Sequence, residues 1–119
     1  MHQWLSTQAY WALGRSRETV ARSLTASTVM GAYDEDQLVG LARAVTDGAT
    51  FAWVCDVYVE AAHRGRGIGS ALVAQLVSRL RGQGVYRVLL ATRDAHEVYR
   101  RLGFTELAEP DRWMQLDLR

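Results

Sequence analysis

The spacing of hydrophobic positions predicts helices and strands in a definite order along the chain. Residues that recur every three or four positions are typical of amphipathic helices, whereas short alternating or continuous apolar runs are typical of strands. The pattern predicts helix, helix, three strands, helix, strand, helix and a last strand, with bounds near 2–13, 16–24, 28–33, 38–46, 51–59, 68–81, 85–92, 94–102 and 113–118. In the last strand Met114, Leu116 and Leu118 share one face. This order predicts an α/β fold, a mixed sheet with helices on its faces.

Short polar signals mark where several of these elements begin and end. Ser16 is placed to cap the second helix. Asp47 and Gly48 form a strong turn signal, so residues 28–59 are predicted to be a three-stranded antiparallel meander. Asp94, with a glutamate three residues later, fits a capping box, and we predict that it caps the last helix.

The composition restricts the classes of protein that fit this pattern. The 119 residues, 49% of them hydrophobic and 23% charged, are typical of one globular domain over residues 1–119. The 14 basic residues are all arginines, and a net charge of only +1 argues against a nucleic-acid binder. A single cysteine rules out an internal disulfide and favours the cytoplasm. No apolar run reaches the ~20 residues of a membrane helix, and no Cys/His cluster has metal-ligand spacing.

The most informative stretch is a strand followed by a glycine-rich loop and the start of a helix. The loop reads Arg64-Gly65-Arg66-Gly67-Ile68-Gly69. Glycines allow tight turns and bring backbone N–H groups close to a bound anion, and the N-terminus of the following helix favours phosphate oxygens. The glycine spacing does not fit a dinucleotide-binding fingerprint, and a P-loop is excluded because its lysine is absent. Two interpretations stay open: a structural loop before a helix, or a pyrophosphate cradle to which Arg64 and Arg66 add charge.

These residues resemble the signature of the GNAT superfamily of acyl-CoA-dependent N-acyltransferases. Residues 64–69 match its Arg/Gln-x-x-Gly-x-Gly/Ala pattern, and the strand over 56–59 lies where the superfamily has its splayed strand. Tyr99, with Gly103 and Phe104 after it, matches the Tyr-x-x-x-Gly-Phe end of a helix in that superfamily. The resemblance extends over residues 38–107 and includes a group of small bacterial single-domain members.

The resemblance implies a fold, a co-substrate and the residues that bind it. The fold would be GNAT-like, with its usual first strand missing, and the co-substrate would be acetyl-CoA. Amides of the glycine-rich loop would bind the pyrophosphate, and the exposed edge of the preceding strand would pair with the pantetheine arm. The cofactor-binding residues implied in this way are Val57, Tyr58, Val59, Arg64, Gly65, Arg66, Gly67, Ile68, Gly69, Ser70 and Thr92. Thr92 stands where many members have an asparagine that touches the cofactor arm.

The resemblance also implies direct attack of an amine on the thioester, with Tyr99 and Asp56 as catalytic residues. Tyr99 would protonate the departing thiolate of CoA, whereas without the motif it would be interpreted as a core aromatic on a helix stripe. Asp56 lies in an otherwise apolar strand and would act as the base, or else be a structural acid that pairs with Arg43 on the neighbouring strand. Glu60 and His96 are weaker candidates for the base.

We therefore predict an N-acetyltransferase that transfers the acetyl group of acetyl-CoA to a primary amine of a small molecule or peptide. A non-catalytic acyl-CoA-binding or regulatory domain is the alternative, and an arginine-based interaction module fits the near-zero net charge less well. No metal, nucleic-acid or membrane partner is predicted. The missing first strand, or a start placed too late in the chain, would leave a sheet edge uncovered, which favours a homodimer.

Overall fold

The structure, a computed structural model, describes residues 16–119 and contains within them every predicted element except the last strand. The helices and strands are α1 (Arg17–Thr25), β1 (Thr28–Asp34), β2 (Gln37–Thr46), β3 (Phe51–Val59), α2 (Ile68–Gly82), β4 (Arg87–Leu90) and α3 (His96–Arg101). Two short 3-10 turns lie at Ala61–His63 and Pro110–Arg112. The helix predicted over 2–13 lies outside the described residues.

The predicted mixed sheet with flanking helices is confirmed. β1, β2 and β3 form the antiparallel meander, and β4 runs parallel to β3 at the edge of the sheet. α2 packs across one face, where Leu72, Leu76 and Leu80 are buried against small residues of β2 and β3. Because alanines occupy the facing positions Ala42 and Ala44, the leucine side chains of the helix fill the space between the two layers.

A one-residue bulge at Cys55 changes which side chains of β3 face α2. Arg43 of β2 pairs with Asp56, but the next residue, Ala44, pairs with Val54, so Cys55 has no partner on β2. Side chains alternate along a strand, and the extra residue therefore reverses the alternation. Even-numbered residues of β3 pack under α2 before the bulge and odd-numbered ones after it. Asp56 consequently faces away from α2.

The structure shows that two predictions for the second half of the chain are wrong. Asp94 does not cap α3: Ala95 is the N-cap, and its N–H donates to the Thr92 hydroxyl oxygen at 3.1 Å. Residues 113–118 belong to no helix or strand ladder among the described residues. An alternating pattern shows that a segment suits the edge of a sheet, but ladder hydrogen bonds need a neighbouring strand that the pattern does not supply.

Two predicted end signals are confirmed. Ser16 caps α1, since its hydroxyl oxygen accepts a hydrogen bond from the Thr19 N–H at 3.1 Å. Asp47 closes the β2–β3 turn by accepting hydrogen bonds from the Thr50 hydroxyl and from the backbone N–H groups of residues 49–51. The side chain and backbone of Thr50 make the largest contributions, and these bonds hold the pKa of the Asp47 carboxyl well below its ordinary value.

Replacing Asp47 by asparagine is expected to lower the melting temperature at neutral pH but not in acid. A depressed carboxyl pKa contributes stability above the unfolded-state value of about 4, and this stability is lost as the pH falls from there towards the folded-state value. The difference in melting temperature between the wild-type chain and the Asp47→Asn variant, measured by circular dichroism, should therefore be largest above pH ~5 and shrink below pH ~4. Asp36→Asn, in the β1–β2 turn, is the control and should leave the melting temperature nearly unchanged. A gap that stays constant down to pH ~2 would contradict this account of the turn.

Candidate functional site

A cavity opens beside the part of β3 that extends past the end of β4. β4 pairs with residues 51–54 of β3 only, so the rest of β3 has no strand on that side among the described residues. The cavity, about 230 Å³ in volume, lies between this free edge, the loop before α2, and α3. Its walls are Val57, Val59, His63, Arg64, Gly65, Gly67, Ile68, Gly69, Ser70, Val73, Val98 and Tyr99. Most of the predicted cofactor residues and Tyr99 therefore meet here, whereas Tyr58, Arg66 and Thr92 lie outside the cavity wall.

The free edge of β3 presents backbone hydrogen-bonding groups to the cavity. The Glu60 N–H donates to the Val39 carbonyl at 2.8 Å, and Gly40 is the register partner of Val59. In an antiparallel pair the hydrogen-bonded positions alternate, so the N–H and C=O groups of Val57 and Val59 point away from β2. This edge can accept an extended ligand in the way that a sheet accepts another strand.

The loop before α2 turns through two glycines with left-handed backbone conformations. Gly65 has φ 83° and Gly67, the N-cap of α2, has φ 75°. A Cβ atom at either position would meet no atom within 4 Å, so the positive φ and not crowding makes glycine the favoured residue there. The first intrahelical bond runs from the Ala71 N–H to the Gly67 carbonyl. The N–H groups of residues 65–70 donate to no acceptor in the part of the chain that the structure describes, and together they form a cradle suited to an anion.

Arg64 links this loop to the free edge of β3. Its Nε donates to the Val59 carbonyl at 2.8 Å, and its guanidinium lies 5.2 Å from the centre of the Tyr58 ring. The Tyr58 ring is 5% exposed and faces away from α2, which explains why it does not reach the cavity. Arg66 is exposed, and its side chain is not part of the cavity wall.

His63 belongs to the cavity wall although the sequence did not single it out. Its Nε2 lies 3.1 Å from the Asp34 Oδ2, and its Nδ1 is buried with no hydrogen-bond partner in the described part of the chain. The signal that could have found it is its place directly before Arg64, at the end of the 3-10 turn that leads into the glycine-rich loop.

Tyr99 owes its position to the way α3 ends. The N–H of Phe104 donates to the Tyr99 carbonyl and that of Gly103 to the Arg100 carbonyl, both at 3.0 Å, which is the Schellman pattern. Gly103 has φ 99°, as this pattern requires. The Phe104 ring also meets the Tyr99 ring edge-on, with 5.7 Å between ring centres. The Tyr-x-x-x-Gly-Phe sequence thus has a physical reason: the glycine ends the helix and the phenylalanine holds the tyrosine ring at the cavity wall.

Asp56 and Arg43 form a buried ion pair beneath the opposite face of the sheet. The Arg43 Nε donates to the Asp56 Oδ2 at 2.7 Å, with the two residues 5% and 0% exposed. The same guanidinium donates to the Ser27 hydroxyl at 2.9 Å and to the Ser23 carbonyl at 3.4 Å, which attaches it to the end of α1. Asp56 does not line the cavity.

The remaining candidates lie around the site, and none lines the cavity. Thr92 is half-buried, and its hydroxyl oxygen accepts the hydrogen bond that begins α3. Glu60 precedes the 3-10 turn, and His96 is exposed at the first residue of α3. Within residues 16–119, no group of His, Cys, Asp and Glu side chains could hold a metal ion, and no helix is long and apolar enough to cross a bilayer.

Comparisons with known proteins identify the family of this chain. The sequence model described as the acetyltransferase (GNAT) family matches residues 1–104. The chain belongs to the GNAT acetyltransferase family. A solved structure of a GNAT-family protein from Xanthomonas campestris pv. campestris is 37% identical to this GNAT chain, with a TM-score of 0.91 over 98% of this chain and 82% of that one.

Curated relatives of this GNAT chain are acetyltransferases of longer sequence. A rice protein named serotonin N-acetyltransferase 2, chloroplastic, is 38% identical over 103 residues, which is 82% of this chain and 50% of that one. A soybean protein named histone acetyltransferase TAP1 is 35% identical over 79 residues, which is 66% of this chain and 33% of that one. The GNAT chain thus spans half or less of the length of these two relatives.

Proposed function

We propose that this chain transfers an acetyl group from acetyl-CoA to a primary amine by direct attack. The observation that carries the proposal is the single cavity that joins the free edge of β3, the N–H cradle of residues 65–70 and the Tyr99 side chain. A pyrophosphate suits the cradle because its oxygens accept hydrogen bonds, and an amide-containing arm suits a strand edge. The wall residues Val57, Val59 and Val73 are apolar and fit the hydrocarbon part of such an arm.

The chemical step needs one proton donor, and the proposal assigns that role to Tyr99. A bond forms between the amine nitrogen and the acetyl carbon, the carbon–sulfur bond breaks, and the sulfur leaves as a thiolate. A phenol is a neutral donor at pH 7, so the Tyr99 hydroxyl can supply the proton as the thiolate departs. The edge of β3 contributes backbone N–H groups that can polarise the thioester carbonyl.

Asp56 is left out of the proton transfers in this proposal. It is fully buried on the side of the sheet away from α2 and its Oδ2 accepts a hydrogen bond from Arg43, which supports the second of the two sequence interpretations. The proposal gives Asp56 the task of fixing β2 against β3 and attaching both to α1. Glu60 stays a candidate for the base that deprotonates the amine.

Two measurements on the purified chain test the proposal. Acetyl-CoA at about 1 mM should raise the melting temperature by several degrees, because a ligand that binds only the folded state stabilises it. A thiol-reactive dye should then detect CoA release with at least one amine from a panel of polyamines, aminosugars, serotonin and a lysine-bearing histone peptide. The last two amines are included because the names of two relatives mention them. If acetyl-CoA binds but no amine leads to CoA release, the chain would be a non-catalytic acyl-CoA-binding domain. If acetyl-CoA causes no thermal shift, both the acetyltransferase proposal and this alternative are overturned.

Replacing Gly103 by alanine should reduce both stability and turnover, whereas replacing Gly84 by alanine should reduce stability alone. Both glycines end a helix in the Schellman pattern with positive φ, 99° and 89°, and a side chain there costs about 1–2 kcal/mol of unfolding free energy. Only Gly103 positions Tyr99, so only its variant should lose about tenfold or more in kcat. Urea unfolding and CoA release measure the two effects. Equal losses of kcat in the two variants would contradict the prediction that the end of α3 positions Tyr99.

A further inference from the structure

His63 is held at the end of the β1–β2 hairpin through one nitrogen of its ring. Its Nε2 lies 3.1 Å from the Asp34 Oδ2. An ionised carboxylate only accepts hydrogen bonds, so the Nε2 carries a proton and donates it to Asp34. Asp34 is the last residue of β1 and pairs with Gln37 across a tight turn, which fixes the carboxylate relative to the sheet. The ring is therefore anchored on its Nε2 side.

The other nitrogen of the ring makes no hydrogen bond within residues 16–119. This atom, Nδ1, is buried. Buried polar atoms are nearly always paired in folded proteins, and an unpaired one calls for an explanation such as a catalytic role or a bound water or ion. While Nε2–H donates to Asp34, the Nδ1 of a neutral ring carries a lone pair, and a proton added there makes the ring an imidazolium. His63 can thus gain a positive charge and keep its hydrogen bond to Asp34.

The ring borders the place that the proposed function assigns to the pyrophosphate. His63 lines the cavity together with Gly65, Gly67 and Ser70 of the N–H cradle. Its side chain is 18% exposed, so a charge on the ring is screened much less than a charge on the open surface. A positive ring in this wall attracts phosphate oxygens and adds to the field of the cradle N–H groups, whereas a neutral ring does not.

The titratable and charged side chains around this ring are Asp34 on β1, Glu60 at the start of its own 3-10 turn, Arg64 next in the chain, and Tyr99 of α3 in the same cavity wall. β3 and α2 contribute only uncharged side chains to that wall. An arginine keeps its charge throughout the neutral range, whereas histidine is the side chain whose charge ordinarily changes between about pH 5 and 8. Protonation of His63 is therefore the event that changes the charge of this wall near neutral pH.

We propose that His63 makes ligand binding at the cradle proton-linked, so that a diphosphate binds more tightly when the ring is an imidazolium. The inference rests on the proposed function, because that function places a diphosphate at residues 65–70. The Nε2–H stays on Asp34, and the added charge is compensated by the Asp34 carboxylate and by the phosphate oxygens of the ligand. Linkage is reciprocal, so the bound ligand in turn favours the uptake of one proton from solvent by His63.

The affinity for dephospho-CoA at two pH values tests the linkage. This probe keeps the diphosphate but lacks the 3′-phosphate, whose own charge changes near pH ~6. Isothermal titration calorimetry should show at least about fivefold tighter binding at pH ~5.5 than at pH ~8. His63→Gln keeps a donor for Asp34 but cannot become charged, so it should bind equally at both pH values, with the wild-type affinity of pH ~8. His96→Gln, which changes an exposed histidine outside the cavity wall, is the matched control and should keep the wild-type dependence.

Proton counting gives a readout that a purely structural role of His63 would not change. Titrations at pH ~6.5 in two buffers with different ionisation enthalpies measure the protons taken up on binding. The wild-type chain and His96→Gln should take up a measurable fraction of a proton per ligand, and His63→Gln close to none. Asp34→Asn removes a negative charge that favours the imidazolium, so the gain in affinity should require a lower pH.

Two outcomes separate this inference from the proposed function. If His63→Gln keeps the wild-type pH dependence and proton uptake, the linkage through His63 is overturned and the acetyl-CoA site stands. If dephospho-CoA does not bind the wild-type chain at either pH, the linkage is likewise overturned. The proposed function is overturned as well only when acetyl-CoA also fails to bind.

Discussion

Replacing Asp56 by alanine is expected to lower the unfolding free energy by about 3–5 kcal/mol. The Asp56 side chain is fully buried, and its Oδ2 receives the Arg43 Nε at 2.7 Å. Without the carboxylate the Arg43 charge stays buried, and its partners among the described residues are then two neutral groups, the Ser27 hydroxyl and the Ser23 carbonyl. The total unfolding free energy of a domain of this size is roughly 5–15 kcal/mol, so the substitution removes a large share of its stability. Urea unfolding followed by tryptophan fluorescence measures the change.

The double variant Arg43→Met/Asp56→Leu is the control for this prediction. It removes both charges together and keeps apolar side chains of similar size, so it should recover most of the lost stability. The milder Asp56→Asn variant keeps the shape of the side chain and should retain kcat per folded molecule, since the proposed function gives Asp56 no proton to move. If the Asp56→Asn variant folds but its kcat falls a hundredfold or more, Asp56 acts as the base and its role is not purely structural.

Replacing Tyr99 by phenylalanine is expected to lower kcat by about 10²–10⁴-fold, the usual contribution of a positioned general acid. The ring of the variant should keep its edge-on contact with Phe104, and the Schellman bonds use only backbone atoms. The melting temperature, and its rise on addition of acetyl-CoA, should therefore change little. CoA release with an accepted amine measures kcat, and thermal shift measures binding.

The response of Tyr99→Phe to a change of the thiol leaving group gives a further readout. If the tyrosine protonates the leaving thiolate, the decrease in kcat should be smaller for an acyl donor whose thiol has a lower pKa, because a weaker base needs less help to leave. If the role of Tyr99 is purely structural, the substitution should reduce kcat by the same factor with both acyl donors. Wild-type kcat in the phenylalanine variant would remove the proposed role of the hydroxyl.

The sequence predicts the parts of this fold that local patterns determine. The apolar stripe of α2, the turn at Asp47 and the cap at Ser16 all depend on residues close in the chain, and the structure confirms each of them. The segments that the family signature singles out also lie close together in space, since Val57, Val59, most of the loop before α2 and Tyr99 line one cavity. These predictions depend on spacing, which the sequence displays directly.

Features that depend on distant residues could not be predicted in this way. The bulge at Cys55 exists only relative to β2, and without it Asp56 would be expected on the same face as Val54. The alternation of 113–118 is present, yet a strand needs a neighbour, and none of the described residues provides one. At Asp94 two local signals compete, and Thr92 supplies the oxygen that accepts the Ala95 N–H. For the bulge and for residues 113–118 the deciding contact joins positions that no short window connects, whereas at Asp94 the competing oxygen lies only three residues before Ala95.

The hydrogen bond from Arg64 to the Val59 carbonyl bears on whether strands of other molecules can add to this edge. A strand edge with unpaired carbonyl groups is a template on which strands of other molecules can add, and such addition is the first step of aggregation. Arg64 occupies the Val59 carbonyl and holds a charged group over Tyr58 beside it. A foreign strand would have to displace this side chain and desolvate its charge, whereas a ligand with phosphate oxygens in the neighbouring cradle would offer the guanidinium a new partner. Arg64 thus hinders the addition of other strands to this edge. When an anionic ligand binds the guanidinium instead, the Val59 carbonyl becomes available to that ligand.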